Sequence, residues 1–116
     1  MNYKYTIPDV PPSNNEFIGR SNIWDYREAK ADWEKRVFYC CTPKPREPLQ
    51  NVIVKITYYF KTKGRRDPDN YSGKMILDGL VKARIIADDC FGNIQLVLCG
   101  EYDKVKPRTV VEVESK

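Results

Sequence analysis

Two aspartates, Asp67 and Asp69, stand one residue apart in "GRRDPDNYSG" (64–73), directly behind Arg65 and Arg66. A second acidic pair, Asp88 and Asp89, follows after a short helix-like stretch. Carboxylates grouped beside a basic loop suit a hard cation such as Mg²⁺. That ion takes oxygen ligands, keeps several waters, and is commonly held by one or two carboxylates plus phosphate oxygens of a substrate. Asp67, Asp69 and Asp89 have the right chemistry, and Asp88 is the second choice within its pair. The ion would lower the pKa of a bound water and stabilise charge on a phosphate under attack, with Lys74 near enough to neutralise it further. A purely structural reading competes, because Asp69 or Asn70 just before a helix is a standard N-cap and Asp67-Pro68 is a good turn. A cap needs one such side chain, however, and four carboxylates are grouped here.

The rest of the composition narrows the chemistry. The chain has no histidine, which removes Ser-His-Asp and Cys-His nucleophilic catalysis and the commonest general base near neutral pH. Cys40, Cys41, Cys90 and Cys99 have no C-x-x-C spacing, the lack of histidine excludes a mixed Cys/His zinc site, and the cysteines read as reduced, mostly packing residues. No apolar run approaches the length of a membrane helix, and the N-terminal residues lack the pattern of a secretory signal. The expectation is one cytoplasmic domain over 1–116 that makes no use of a membrane.

A net charge of +4 suits a polyanionic partner without identifying one. Its distribution says more. Lys61, Lys63, Arg65 and Arg66 lie in one apparent loop, Lys104, Lys106 and Arg108 in another, and "KPR" (44–46) in a third. Loops that present Lys and Arg hold phosphates in many folds, and Arg is suited to bidentate contact; the alternative is that these runs are solvated turns.

These side chains must be positioned by regular elements. "YKYTIP" (3–8) reads as a strand closed by prolines, and "PPSNNEF" (11–17) as a turn in which Ser13, Asn14 and Asn15 bond their own backbone. Residues 24–40 read as an amphipathic helix with Trp24, Ala31, Trp33, Val37 and Phe38 on its apolar side. Three prolines make 42–48 a connector. The alternation of Val52, Val54, Ile56, Tyr58 and Phe60 makes 51–60 the plainest strand. Tyr71, Met75, Ile76, Leu80 and Ala83 place a helix over about 70–84, with Asp78 between Lys74 and Lys82 as a surface ion pair. Strands at 94–102 and 108–114 complete a β-α-β-α-β-β order, an α+β fold with a mixed sheet and two helices.

Five pieces in order, "IPDVPPSNN" (7–15), "RRDPDN" (65–70), "ILDGLVKA" (76–83), "DD" (88–89) and "YDKVKPRT" (102–109), resemble the RusA family of Holliday junction resolvases, most closely a phage or prophage member. The resemblance implies a small homodimer that binds four-way or other branched DNA and cuts it with Mg²⁺, Mn²⁺ being the alternative ion. It matches the family's essential aspartates to Asp67, Asp69 and Asp89 and its functional lysine to Lys74, and it brings Asn14, Asn15 and Asn70 into consideration for DNA binding beside the basic loops. Lys74 departs from the pattern, standing five residues after Asp69 where the family has four, which matters unless Ser72-Gly73 precedes the regular helical turns. Two other readings are a non-catalytic branched-DNA-binding module and a broader nuclease of flaps and forks.

One geometric difficulty is visible in advance. A helix over 70–84 would be roughly 22 Å long, while residues 85–89 reach at most about 17 Å. For Asp89 to join Asp69, either the helix is shorter or a partner subunit supplies a residue.

Overall fold

In the computed structural model, which describes residues 2–17 and 23–116, four strands form one mixed sheet in the order β1-β4-β2-β3. The elements are β1 (Asn2–Ile7), α1 (Ile23–Cys40), β2 (Val52–Phe60), α2 (Lys74–Lys82), β3 (Ile94–Tyr102) and β4 (Arg108–Ser115), with 3₁₀ turns at Asn14–Phe17 and Pro68–Tyr71. The expected element order and α+β class hold. β4 pairs antiparallel with both β1 and β2, whereas β2 and β3 run parallel with Val52 opposite Ile94 and Phe60 opposite Tyr102. A parallel pair requires a crossover, and α2 supplies it.

The alternation along β2 does its expected work: Val52, Val54, Ile56 and Tyr58 are buried on the face that both helices cover. They meet Val111 and Val113 of β4, Tyr5 and Ile7 of β1, and Met75, Ile76, Leu77 and Leu80 of α2 in one core. The other face of the sheet carries polar residues, with Glu112 opposite both Lys4 and Lys55. Among the described residues no helix is long and apolar enough to cross a membrane.

Two expectations about the helices are corrected. In α1 the buried residues are Trp33 and Val37, with Tyr26 and Ala29 packed beside them, while Trp24 is 72% and Phe38 50% exposed and Ala31 is exposed. The core stripe therefore follows 26, 29, 33, 37, and Trp24 and Phe38 fall out of its phase. Cations cover their rings instead, Arg27 lying 5.2 Å from Trp24 and Lys44 4.5 Å from Phe38. The second correction is that α2 starts at Lys74, not near residue 70. Gly73, at φ 82°, is its N-cap and breaks the chain between the 3₁₀ turn and the helix. A β-carbon at Gly73 would lie 2.8 Å from Ile56 Cδ1, so glycine is required both for the dihedral and for the close approach to β2. At the other end Arg84 takes the left-handed conformation, and the Ile85 and Arg84 amides donate to Leu80 and Val81 carbonyls. That bond pattern with a buried Ile85 is a Schellman stop, which ends the helix two residues early.

All four cysteines are free, but only Cys41 is buried; Cys90 is exposed and Cys40 and Cys99 lie between. Packing therefore explains Cys41 and does not extend to Cys90.

Candidate functional site

The acidic loop leaves the C-terminal end of β2. Asp67 precedes the 3₁₀ turn in extended conformation, Pro68 fixes its first residue, and Asp69 lies within it. Neither aspartate caps α2, since Gly73 does, and Asp67 makes no side-chain cap bond to the turn. The cap explanation for Asp69 and Asn70 is thereby removed. Asp67 is half exposed and contacts Arg65 Nε at 3.3 Å; Asp69 is exposed with no side-chain partner among the described residues.

What holds this loop is Asn14. Its Nδ2 donates to the Asp69 carbonyl at 3.1 Å and, more weakly, to Ser72 Oγ at 3.4 Å, linking segments 55 residues or more apart in sequence. The expected self-bonding turn is thus only partly realised. Ser13 does serve it, its Oγ accepting from the Asn15 amide and its carbonyl from the Glu16 amide, but Asn14 reaches across. Asn15 lines an open groove of about 380 Å³ with Arg65, Arg66, Asp67 and Asn70.

The basic residues divide by what they touch. Arg65 has a side chain 90% exposed. Arg66 is held inside the loop, donating to the Thr62 and Gly64 carbonyls and Thr62 Oγ1 and lying 4.4 Å over Phe60. Lys61 is exposed, and Lys63 stands 5.1 Å from the Tyr102 ring. In the β3–β4 hairpin Lys104 and Lys106 are exposed, but Arg108 pairs with Asp103 at 2.7 Å and stacks 3.8 Å over Tyr59. The Lys106 amide and then Arg108 hold the Asp103 carboxyl below the usual range, so Arg108 staples the hairpin. Because the Asp103 amide donates to the Phe60 carbonyl, this hairpin and the loop at 61–66 share one end of the sheet with Asp67 and Asp69.

Lys74 follows Ser72-Gly73 as the first residue of α2, so the extra residue relative to the family spacing precedes the regular turns. Its ammonium lies 3.5 Å from Asp78, which also meets Lys30 of α1 at 3.4 Å, while Lys82 pairs with Glu34 instead. Asp78 is therefore no pair with Lys82 on the surface. It sits between the two helices with one oxygen buried.

Asp88 and Asp89 lie at the opposite end. The Asn51 amide, just before β2, donates to Asn93 Oδ1, and Asn93 Nδ2 donates to the Asp88 carbonyl. Asp88 Oδ1 accepts from the Asp89 amide, which leaves the exposed Asp89 carboxylate as the unpartnered one among the described residues. The two acidic loops adjoin opposite ends of β2, a strand of nine residues and roughly 26 Å. Among the described residues no three metal-ligating side chains converge. Asp67 and Asp69 alone offer the hard oxygen donors that suit Mg²⁺, a set of two. Shortening the helix does not bring Asp89 back, because the crossover carries the chain from one end of the parallel pair to the other.

Sequence reading passed over four participants. Ser72 was counted as spacing and Tyr58, Phe60 and Tyr71 as core, although the three rings, 5.0–5.9 Å apart, form a wall beside Asp67. Only the clustering of aromatics on either side of the acidic loop could have drawn attention to them.

A search among curated proteins returns no match. The family model described as Endodeoxyribonuclease RusA matches residues 8–114, from the proline-rich turn through both acidic loops to the last strand. With nearly the whole chain covered, and with the mixed sheet and two helices already described, this protein belongs to the RusA family of endodeoxyribonucleases, enzymes that act on branched DNA junctions.

Proposed function

We propose that the chain resolves four-way DNA junctions by paired, Mg²⁺-dependent hydrolysis of phosphodiester bonds, acting as a homodimer of single-domain subunits. The observation that carries this reading is the exposed acidic pair Asp67 and Asp69, uncommitted to capping, at the sheet end that also presents Arg65, Lys61, Lys63, Lys104 and Lys106. Cations at that end attract the phosphate backbone, and Arg65 with Asn15 and Asn70 line the groove along which a strand would run. Asp67 and Asp69 would hold the ion, which supplies an acidified water and charge neutralisation at the phosphate when bound. Lys74, with its side chain 63% exposed, can leave Asp78 to stabilise the departing oxygen.

Two carboxylates from one loop leave the family's third acidic position unused in the same chain. The reading is completed if Asp89 of a second copy joins Asp67 and Asp69, which also places two sites on a symmetric junction. A single nick leaves a junction unresolved, whereas two related sites cut both strands.

The test is cleavage of an end-labelled four-way junction with Mg²⁺ or EDTA, alongside Asp69→Asn. Symmetric nicks that need Mg²⁺ and vanish in the variant support the reading. Preferential cutting of forks or flaps would replace it with the broader nuclease. Mixing Asp69→Asn with Asp89→Asn subunits tests the shared site: verified heterodimers with no recovered activity would count against it.

A further inference from the structure

Beside Asp67 the chain forms a second recess, open and shallow at about 60 Å³, whose lining differs from that of the phosphate groove. Its walls are the rings of Tyr58, Phe60 and Tyr71 and the edge-strand residues Leu98 and Gly100, while Asp67 and Arg66 stand at its rim. That is well below the ligand cavities of about 300 Å³ and upward, so the recess takes one face or edge of a planar ring and does not enclose a ligand. Among the described residues its one cationic lining residue, Arg66, is engaged by the Thr62 and Gly64 carbonyls and lies over Phe60, so the recess is lined chiefly by rings and apolar groups. It is not a closed piece of core: Phe60, Tyr71 and Leu98 are only partly buried. The Tyr58 hydroxyl is buried without a hydrogen-bond partner among the described residues. Buried hydroxyls normally have one. Tyr58 also lines the cleft under Asn14 and Gly73, so it forms the partition between the two spaces.

A nucleotide whose phosphate lies against Asp67 and Arg65 must place its base within one nucleotide's reach. A paired, stacked base cannot enter a ring-lined recess, whereas a base freed at a branch point can, and aromatic faces accept any base by stacking. We propose that the open face of this recess receives one unstacked nucleobase next to the phosphate to be cut, stacked against the partly exposed rings of Phe60 and Tyr71. The proposal rests on the nuclease reading above and adds to it: cleavage is coupled to the branch because only there is a base free to enter.

Gly100 supplies the test. A β-carbon built there meets only Phe60 Cε2, at 3.5 Å, an ordinary contact, and its backbone is not left-handed. Gly100→Val therefore fills the recess without strain in a strand that favours a β-branched residue. The experiment places 5-iododeoxyuridine, one position at a time, through the nucleotides around the branch of a four-way junction, bound by Asp69→Asn protein without metal. Irradiation is followed by mass-spectrometric mapping, with wild-type cleavage of the same junctions in Mg²⁺ measured in parallel. Expected is a crosslink to Tyr58, Phe60 or Tyr71 from one nucleotide flanking the cut. Its yield falls about tenfold with Gly100→Val in the same background, in keeping with the loss of one stacked base, while the denaturation midpoint is kept. Cleavage without any crosslink to the three rings overturns the recess and leaves the nuclease reading standing. A crosslink without cleavage supports the recess and sinks the nuclease reading. A crosslink that survives Gly100→Val unchanged overturns the recess as well.

Discussion

Asn14→Ala isolates what the Asn14 bridge contributes. Asn14 sits in the segment whose resemblance to the family points to DNA contact, yet its amide is bonded to the carbonyl of Asp69. The bond at 3.1 Å is partly solvated and contributes about 1 kcal/mol net, while the contact at 3.4 Å adds little. If all of it serves to hold the acidic loop in its reactive position, removal slows the chemical step about fivefold. The loop would also bind its ion less tightly, so the Mg²⁺ concentration for half-maximal cleavage should rise by a similar factor. The assay is single-turnover cleavage of a labelled junction across a Mg²⁺ series, with junction affinity measured separately in EDTA. A positioning role predicts a slower step, a raised Mg²⁺ midpoint and unchanged affinity. Weakened affinity in EDTA with an unmoved Mg²⁺ midpoint would refute this reasoning and return Asn14 to the DNA-contacting residues.

Other perturbations have outcomes of known sign. Gly73→Ala forces a left-handed alanine against Ile56 and should cost about 2 kcal/mol or more in a urea titration; a neutral result would mean that α2 can be entered another way. Gly79→Ala gains helix propensity but puts a β-carbon 2.9 Å from Val37, so it should destabilise, and Val37→Ala in the same chain should relieve part of the loss. Replacing both Lys104 and Lys106 with alanine should lower the slope of log affinity against log salt by about two, if each meets a phosphate; an unchanged slope would remove the hairpin from the interface. Burial raises Tyr5 and Cys41 to about 12 from ordinary values of 10.0 and 9.0, so the unfolded chain releases these protons first. Their contribution to stability is complete below pH 9 and is lost as pH climbs toward 12, which a urea midpoint falling across that range would register.

Legibility in the sequence followed the reach of the interactions involved. β2 was readable because its alternation is local and it runs between two paired strands. The start of α2 was not. The apolar steps from Tyr71 onward match a helix, but Tyr71 belongs to a 3₁₀ turn and packs on Tyr58 and Phe60, and only the left-handed Gly73 separates the two. In α1 the large apolar residues misled, because Trp24 and Phe38 are satisfied by cations at the surface while Tyr26 and Ala29 line the stripe. The residues of the acidic loop were identifiable by type and spacing. Their attachment to Asn14 was not, since nothing local marks a bond that spans more than fifty residues.

The same contrast bears on the two acidic pairs. In sequence Asp69 and Asp89 are twenty residues apart, and a short helix between them invites the inference that they meet. The sheet dictates otherwise. β2 and β3 are parallel, so the segment joining them must travel from the end of β2 to its beginning, and any residue just before β3 arrives where β2 starts. Asp88 and Asp89 stand there, tied to Asn93 and through it to Asn51. Moving Asp89 to the other end would break the register of nine paired residues, whereas two copies related by a two-fold axis can bring unlike ends together with the fold unchanged. On this reasoning the distance between the pairs is a consequence of the crossover and no loop adjustment removes it. A cysteine pair tests this directly. If Asp67 and Asp89 of opposite copies share a site, Asp67→Cys and Asp89→Cys subunits should form a disulfide-linked heterodimer under mild oxidation, and a chain carrying both changes should give linked dimers. An intramolecular bond in the doubly substituted monomer would instead show that the two ends meet within one chain, and would defeat the argument from topology.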